Sequence, residues 1–124
     1  MNAADEAVAD AFAHEWVAAF NSHDLDRILS HYADDVVLVS PLAVERLGRA
    51  NGEVRGKREL RDYLARSLQP GSLLRFSLRR CYRGVASIVL EYDRHDQRQG
   101  AEFMELDAEG RVRSVVAHYA DRKD

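Results

Sequence analysis

The sequence predicts an α+β domain in which helices come first and an antiparallel sheet follows. Three observations carry this. Apolar residues recur at spacings of three and four through most of the first 69 positions, the period of an amphipathic helix. From Leu74 onward they alternate with polar residues, the period of a strand with one buried face. Short turns join the alternating runs, which lays successive strands side by side as a meander. Helices and strands that segregate along the chain are the α+β pattern.

The first helix runs from Ala4 to Phe20, with Val8, Phe12, Trp16, Ala19 and Phe20 on one face. The NSHD run from Asn21 to Asp24 breaks that period and offers cap residues for a second helix, which puts Leu25, Ile28, Leu29 and Tyr32 on one side. Asp34 and Asp35 end it, and a strand follows from Val36 to Ser40, closed by Pro41 because proline cannot extend the ladder. From Leu42 to Arg55 no period is sustained. Gly48, Asn51 and Gly52 are turn signals, so this stretch reads as a mobile flap. A third helix spans about Lys57 to Gln69, with Leu60, Tyr63, Leu64, Ser67 and Leu68 on one face and Pro70 and Gly71 as its stop.

The strands then follow in order. Leu74, Phe76 and Leu78 alternate with Arg75, Ser77 and Arg79, and Arg83 and Gly84 turn the chain. Ile88, Leu90 and Tyr92 alternate with Val89, Glu91 and Asp93, before a polar turn from Arg94 to Gln99. Glu102, Met104 and Leu106 alternate with Phe103 and Glu105. Residues 107 to 110 form a last turn, and the final strand runs from Val112 to Tyr119.

The chain of 124 residues fits one domain, 1–124, and leaves no room for a separate cofactor domain. Leu, Val, Ile and Phe make up a quarter of it, enough for a packed core. A net charge of −3 argues against a nucleic-acid partner. A single cysteine, Cys81, excludes an intrachain disulfide and a Cys-rich zinc site. No apolar run is long enough to span a membrane, and the acidic N-terminus does not read as a signal peptide. The expectation is a soluble, cytoplasmic protein with no membrane partner.

One feature of the sheet points to a partner of another kind. The segment from Val36 to Val39 is apolar at every position, as is the segment from Val115 to Ala117, and Val89 and Phe103 share the face opposite Leu90 and Met104. The outer face is thus partly apolar, and a second copy of the chain is the expected cover, giving a homodimer through the outer sheet face. Arg75 and Arg79 are placed to meet Glu91 and Glu105 on that face, as cross-strand or intersubunit pairs or as a solvated surface.

Four motifs now form a pattern in order. The run WVAAFNSHDLD from Trp16 to Asp26 resembles the first helix and turn of the nuclear transport factor 2-like superfamily. YADDVVLVSP from Tyr32 to Pro41 resembles its entry to the first strand, GKREL from Gly56 to Leu60 its third-helix start, and DAEGRV from Asp107 to Val112 its last hairpin. Together they span nearly the whole chain. That superfamily includes ketosteroid isomerases, scytalone dehydratase, SnoaL-like polyketide cyclases and many non-catalytic binders. The resemblance implies a cystatin-like cone, three helices of the N-terminal half packed on a curved, mainly antiparallel sheet around an apolar pocket. It does not fix a function.

The resemblance also implies candidate site residues. Ketosteroid isomerases carry a general-base Asp just before the proline of the first strand, and here that position is Ser40. A hydroxyl without an activating base cannot abstract a carbon-bound proton, which argues against ketosteroid isomerase chemistry. The helix-one Tyr of that family falls on Trp16, whose indole N–H is still a donor, although a Trp in an apolar stripe also serves as core. The family's protonated strand Asp falls on Glu102. Alternation independently puts Glu102 on one face with Met104 and Leu106, where burial would raise its carboxyl; a one-residue slip would turn it outward. Tyr63 and Tyr119 match pocket positions, and Tyr92 points inward by alternation. Each phenol either donates to a ligand carbonyl or simply packs.

The expected site is therefore Glu102 and Ser40 as catalytic groups, with Trp16, Tyr63, Tyr92, Met104 and Tyr119 binding substrate. His118, alternating with Tyr119, falls on the outer face. No HExxH run, paired histidines or phosphate-cradling glycine loop occurs, so neither metal nor cofactor is expected. Cys81 lies among Arg79, Arg80 and Arg83, which would lower a thiol's pKa, although an unpaired structural cysteine is the commoner case. Two functions remain open: a cofactor-independent isomerase, cyclase or dehydratase acting on a small hydrophobic carbonyl compound, or a non-catalytic ligand-binding or dimerisation domain of the same fold.

Overall fold

The computed structural model describes residues 5–121. Four helices and six strands follow in the order α1 (Glu6–Ser22), α2 (Leu25–Leu29), β1 (Tyr32–Val39), α3 (Pro41–Leu47), β2 (Glu53–Arg55), α4 (Lys57–Ser67), β3 (Phe76–Arg83), β4 (Ser87–Arg94), β5 (Arg98–Leu106) and β6 (Val112–Asp121). The strands form one sheet in the order β2-β1-β6-β5-β4-β3. All neighbours are antiparallel except β1 and β6, which run parallel. The α+β cone is as the sequence predicts, with helices packed on the inner face of the sheet.

Two expectations need correction. Asp34 and Asp35 do not end a helix; they lie inside β1 with exposed side chains, and α2 stops at Leu29. The stretch read as a flap holds α3 and β2. Its helix has clear ends: the Ser40 hydroxyl accepts from the Leu42 N–H at 3.2 Å, Pro41 occupies the first turn, and Gly48 takes a left-handed φ of 67° after the last turn. A serine cap, a proline start and a glycine stop are the ordinary terminal signals of a helix. Seven residues are too few to show a period, so those end signals were the only ones available.

The packing follows the sequence pattern. On α1, Ala9, Phe12, Ala13, Trp16, Ala19 and Phe20 are buried. Trp16 stacks on Phe76 with ring centroids 5.7 Å apart, and Phe20 and Tyr92 close the cluster. A bulge at Arg79 shifts the register of β3 against β4. Beyond it, Cys81 turns inward onto the core and Tyr82 turns outward. The Cys81 thiol is pushed up, by burial first and by nearby Asp10 second, against the lowering that neighbouring arginines suggested. Arg79 pairs with Asp93 at 3.2 Å, and Glu105 pairs with Arg113, so the expected partners of these side chains change.

Asn21 ties the end of α1 to the start of β3. Its Nδ2 donates to the Phe76 carbonyl at 2.9 Å while its Oδ1 accepts from the Phe76 N–H at 2.8 Å. One side chain thus serves both backbone groups at the start of β3. Asn21→Ala leaves a half-buried donor and acceptor unpaired and is expected to cost about 1–3 kcal/mol. Urea unfolding measures it, and an unchanged midpoint would show that water replaces the amide.

Candidate functional site

The cavity lies between the inner sheet face and helices α3 and α4. Its walls are apolar at Phe20, Leu38, Leu60 and Phe76, and polar groups converge on it from Ser40, Tyr63, Tyr92, Arg94, Glu102 and Tyr119. The space open to the centre of a water molecule is about 50 Å³. At roughly 10–15 Å³ per water, that is room for a few waters or a ligand of a few heavy atoms.

Glu102 is the cavity's carboxyl. Register pairs it with Leu90 on one side and Ala117 on the other, and its side chain points inward, leaving the residue 6% exposed. Its Oε2 accepts from the Tyr92 hydroxyl at 2.5 Å. Burial pushes the carboxyl above the usual carboxylate range. The Tyr92 hydrogen bond and the charges of Arg94 and His118 pull it back in part.

Tyr92 reaches Glu102 because Gly100 lies opposite it on β5. The Tyr92 ring covers the glycine so closely that a Cβ there would stand 2.7 Å from the phenol oxygen and closer still to Cζ. The backbone of Gly100 has an ordinary negative φ, so its requirement is space. Tyr63 and Tyr119 also border the cavity. Burial pushes both phenols up, Tyr119 to about 12, with Ser40 opposing the shift in each. These phenols stay protonated at neutral pH and are hydrogen-bond donors, not bases.

Two expected residues lie off the cavity. Trp16 is buried but does not line the cavity, and its Nε1 donates to the Tyr32 hydroxyl at 3.0 Å. Met104 is fully buried in the core and does not border the cavity either. Periodicity gives the face of a side chain but not which neighbours close around it. Ser40 does border the cavity, with its oxygen engaged in capping α3. His118 is exposed on the outer face.

Arg94 is the residue that sequence reading missed. It extends the inward series of Ile88, Leu90 and Tyr92 by one step, but a polar residue before a turn reads as part of that turn. Its side chain is 6% exposed. Nε donates to both Asp96 carboxylate oxygens at 3.2 and 3.3 Å. The guanidinium lies over Phe76 and Tyr119, 5.4 and 5.1 Å from their ring centroids. A cation and a carboxyl thus share one small cavity without being paired to each other. Among the described residues, no cluster of three metal-ligating side chains forms, and no helix is long and apolar enough to cross a membrane.

The SnoaL-like domain family model matches residues 13–122. A SnoaL-like protein of unknown function from Burkholderia thailandensis is 36% identical, with a TM-score of 0.90, over 94% of this chain and 97% of that one. A candidate isomerase of the SnoaL-like family from Agrobacterium tumefaciens is 19% identical with a TM-score of 0.71, over 90% of this chain and 97% of that one. A cystatin-like-fold protein from Methylobium petroleophilum is 18% identical with a TM-score of 0.74, over 97% and 80%. The last two show likeness of fold alone. No curated protein matches.

Proposed function

The chain belongs to the SnoaL-like domain family, and on that premise we propose that it is a cofactor-independent enzyme of the isomerase, cyclase or dehydratase kind, acting on a small carbonyl compound inside the cone. The observation that carries this reading is the Glu102 carboxyl, buried at the cavity wall and raised above the ordinary carboxylate range. A carboxyl raised toward neutrality can take a proton and give it back. Ser40, at the position of the ketosteroid isomerase base, has no activating base and its oxygen caps α3.

The chemistry is a proton shift. The Glu102 carboxylate abstracts a proton from the carbon beside the substrate carbonyl, leaving an enolate and a carboxylic acid. The acid then returns that proton to another carbon or to oxygen. Tyr63 and Tyr119 are protonated donors on the same cavity and serve the developing oxyanion.

Deuterium exchange tests the reading. Small ketones in D2O should lose their α-proton signal in the presence of the protein, at a rate that rises with pH through a midpoint above 4.5. Glu102→Gln should slow this by about 10²–10⁴-fold, the usual worth of a general base. Tight binding of the same ketones without exchange would turn the assignment to a non-catalytic binder.

We propose also that a second copy covers the outer sheet face. Tyr82, Val89, Phe103, Val116 and Val39 stand side by side across five strands, and Tyr82 and Phe103 are 44% and 39% exposed. An apolar row of this length with charged flanks suits a two-fold contact. Sedimentation velocity should give twice the 14.1 kDa chain mass at micromolar concentration, and Phe103→Glu should return it to one. A wild-type monomer would overturn the contact.

A further inference from the structure

The cavity has an outer end with a strong charge bias. A depression of about 210 Å³ adjoins it and shares Arg46, Ser67, Leu74 and Arg94 with its lining. Three arginines, Arg46, Arg66 and Arg94, border this depression, against the one carboxylate of Asp96. Two of the three are held in place. Arg46 donates through Nη1 to the Ser67 hydroxyl at 2.6 Å and lies over the Tyr63 ring, 5.8 Å from its centroid. Arg66 donates to the Arg46 carbonyl at 3.2 Å.

Arg94 differs from the other two by its burial. A guanidinium that is 6% exposed has lost most of its water, and one carboxylate bonded at Nε answers only part of its five donors. The two Nη nitrogens carry no hydrogen bond to a described carboxylate. They belong to a side chain that lines both the inner cavity and the outer depression. A forked pair of donors in that position matches the two oxygens of a carboxylate.

We propose that the ligand of this cavity is a small organic acid, its carboxylate held by the Nη edge of Arg94 and its short apolar body directed toward Glu102. This rests on the reading of the cavity as the ligand site and adds the chemical class of what enters it. Size agrees with the class. The inner space accepts only a few heavy atoms, while the charged head stays in the wider outer part. Arg46 and Arg66 at the rim favour entry of an anion over a neutral molecule of the same shape.

The test uses butyrate and butyramide, which match in shape and differ in charge, titrated by calorimetry or by NMR shifts at constant ionic strength. Wild type should bind butyrate at least about tenfold more tightly than butyramide, the worth of a charge-assisted bidentate contact. Arg94→Met should bring the two affinities within about threefold by weakening butyrate alone. Equal binding of both probes by wild type would overturn the organic-acid assignment and leave the cavity as a neutral ligand site. Binding of neither would overturn the cavity reading as well. The wild-type comparison stands without any variant, so a poorly folded Arg94→Met protein does not remove the test.

Discussion

Gly100→Ala is expected to displace the Tyr92 phenol from Glu102 and to destabilise the protein by about 1–3 kcal/mol, the cost of forcing an extra carbon into a packed site. The added Cβ would stand 2.8 Å from Tyr92 Cε2 and 2.7 Å from its hydroxyl, well inside contact distance. Tyr92 cannot yield easily, because its ring packs against Trp16 and Phe76 with centroids 5.4 and 4.5 Å away. Relief therefore comes through the ring tilting or the strands parting, and either lengthens the 2.5 Å hydrogen bond to Glu102. Thermal or urea unfolding measures the cost. The mechanism is isolated by repeating Gly100→Ala in a Tyr92→Leu background, where the penalty should fall by most of its value. Strict additivity of the two substitutions would show that the ring is not what the glycine accommodates.

Glu102→Gln is expected to leave stability unchanged in acid and to raise it at neutral pH. The folded carboxyl has a higher proton affinity than the unfolded one, whose ordinary value is 4.5. Below that value both states hold the proton and the glutamate costs nothing extra. As pH rises from there, the unfolded state releases its proton first and folding loses stability until the folded value is passed. The loss is about 1.4 kcal/mol for each unit by which the folded value exceeds the unfolded one. Glutamine keeps the volume and an acceptor for the Tyr92 hydroxyl but has no charge to bury. The difference between variant and wild type should therefore open with rising pH and then level off. A difference that is constant with pH would mean that the carboxyl ionises as easily in the fold as in water. The same substitution is expected to slow α-proton exchange, so stability and activity should move in opposite directions.

Much of this arrangement is legible in one dimension. Period three-to-four on α1 and α4 and period two on β4 and β5 decide which side chains turn inward, Glu102 and Tyr92 among them. The motif order from Trp16 to Val112 is enough to indicate the cone. Other parts are hidden for physical reasons. α3 is too short for a period and shows only its caps. That Cys81 turns inward and Tyr82 outward depends on a one-residue bulge, which alternation alone does not reveal. Trp16 and Met104 belong to the core but not to the cavity lining, since a local period does not say which distant side chains close around a residue.

The sequence by itself determined the class of fold, the antiparallel order from β3 to β6 and the inward face of Glu102, because each follows from local period and short connections. Only the tertiary structure decided that Arg94 enters the same cavity. Whether a charged side chain at a strand end turns to solvent or is covered depends on which distant residues close over it. Here Tyr119 and Phe76 lie beneath its guanidinium and Arg46 stands at the rim of the same space. These residues lie on separate elements, and no local pattern joins them.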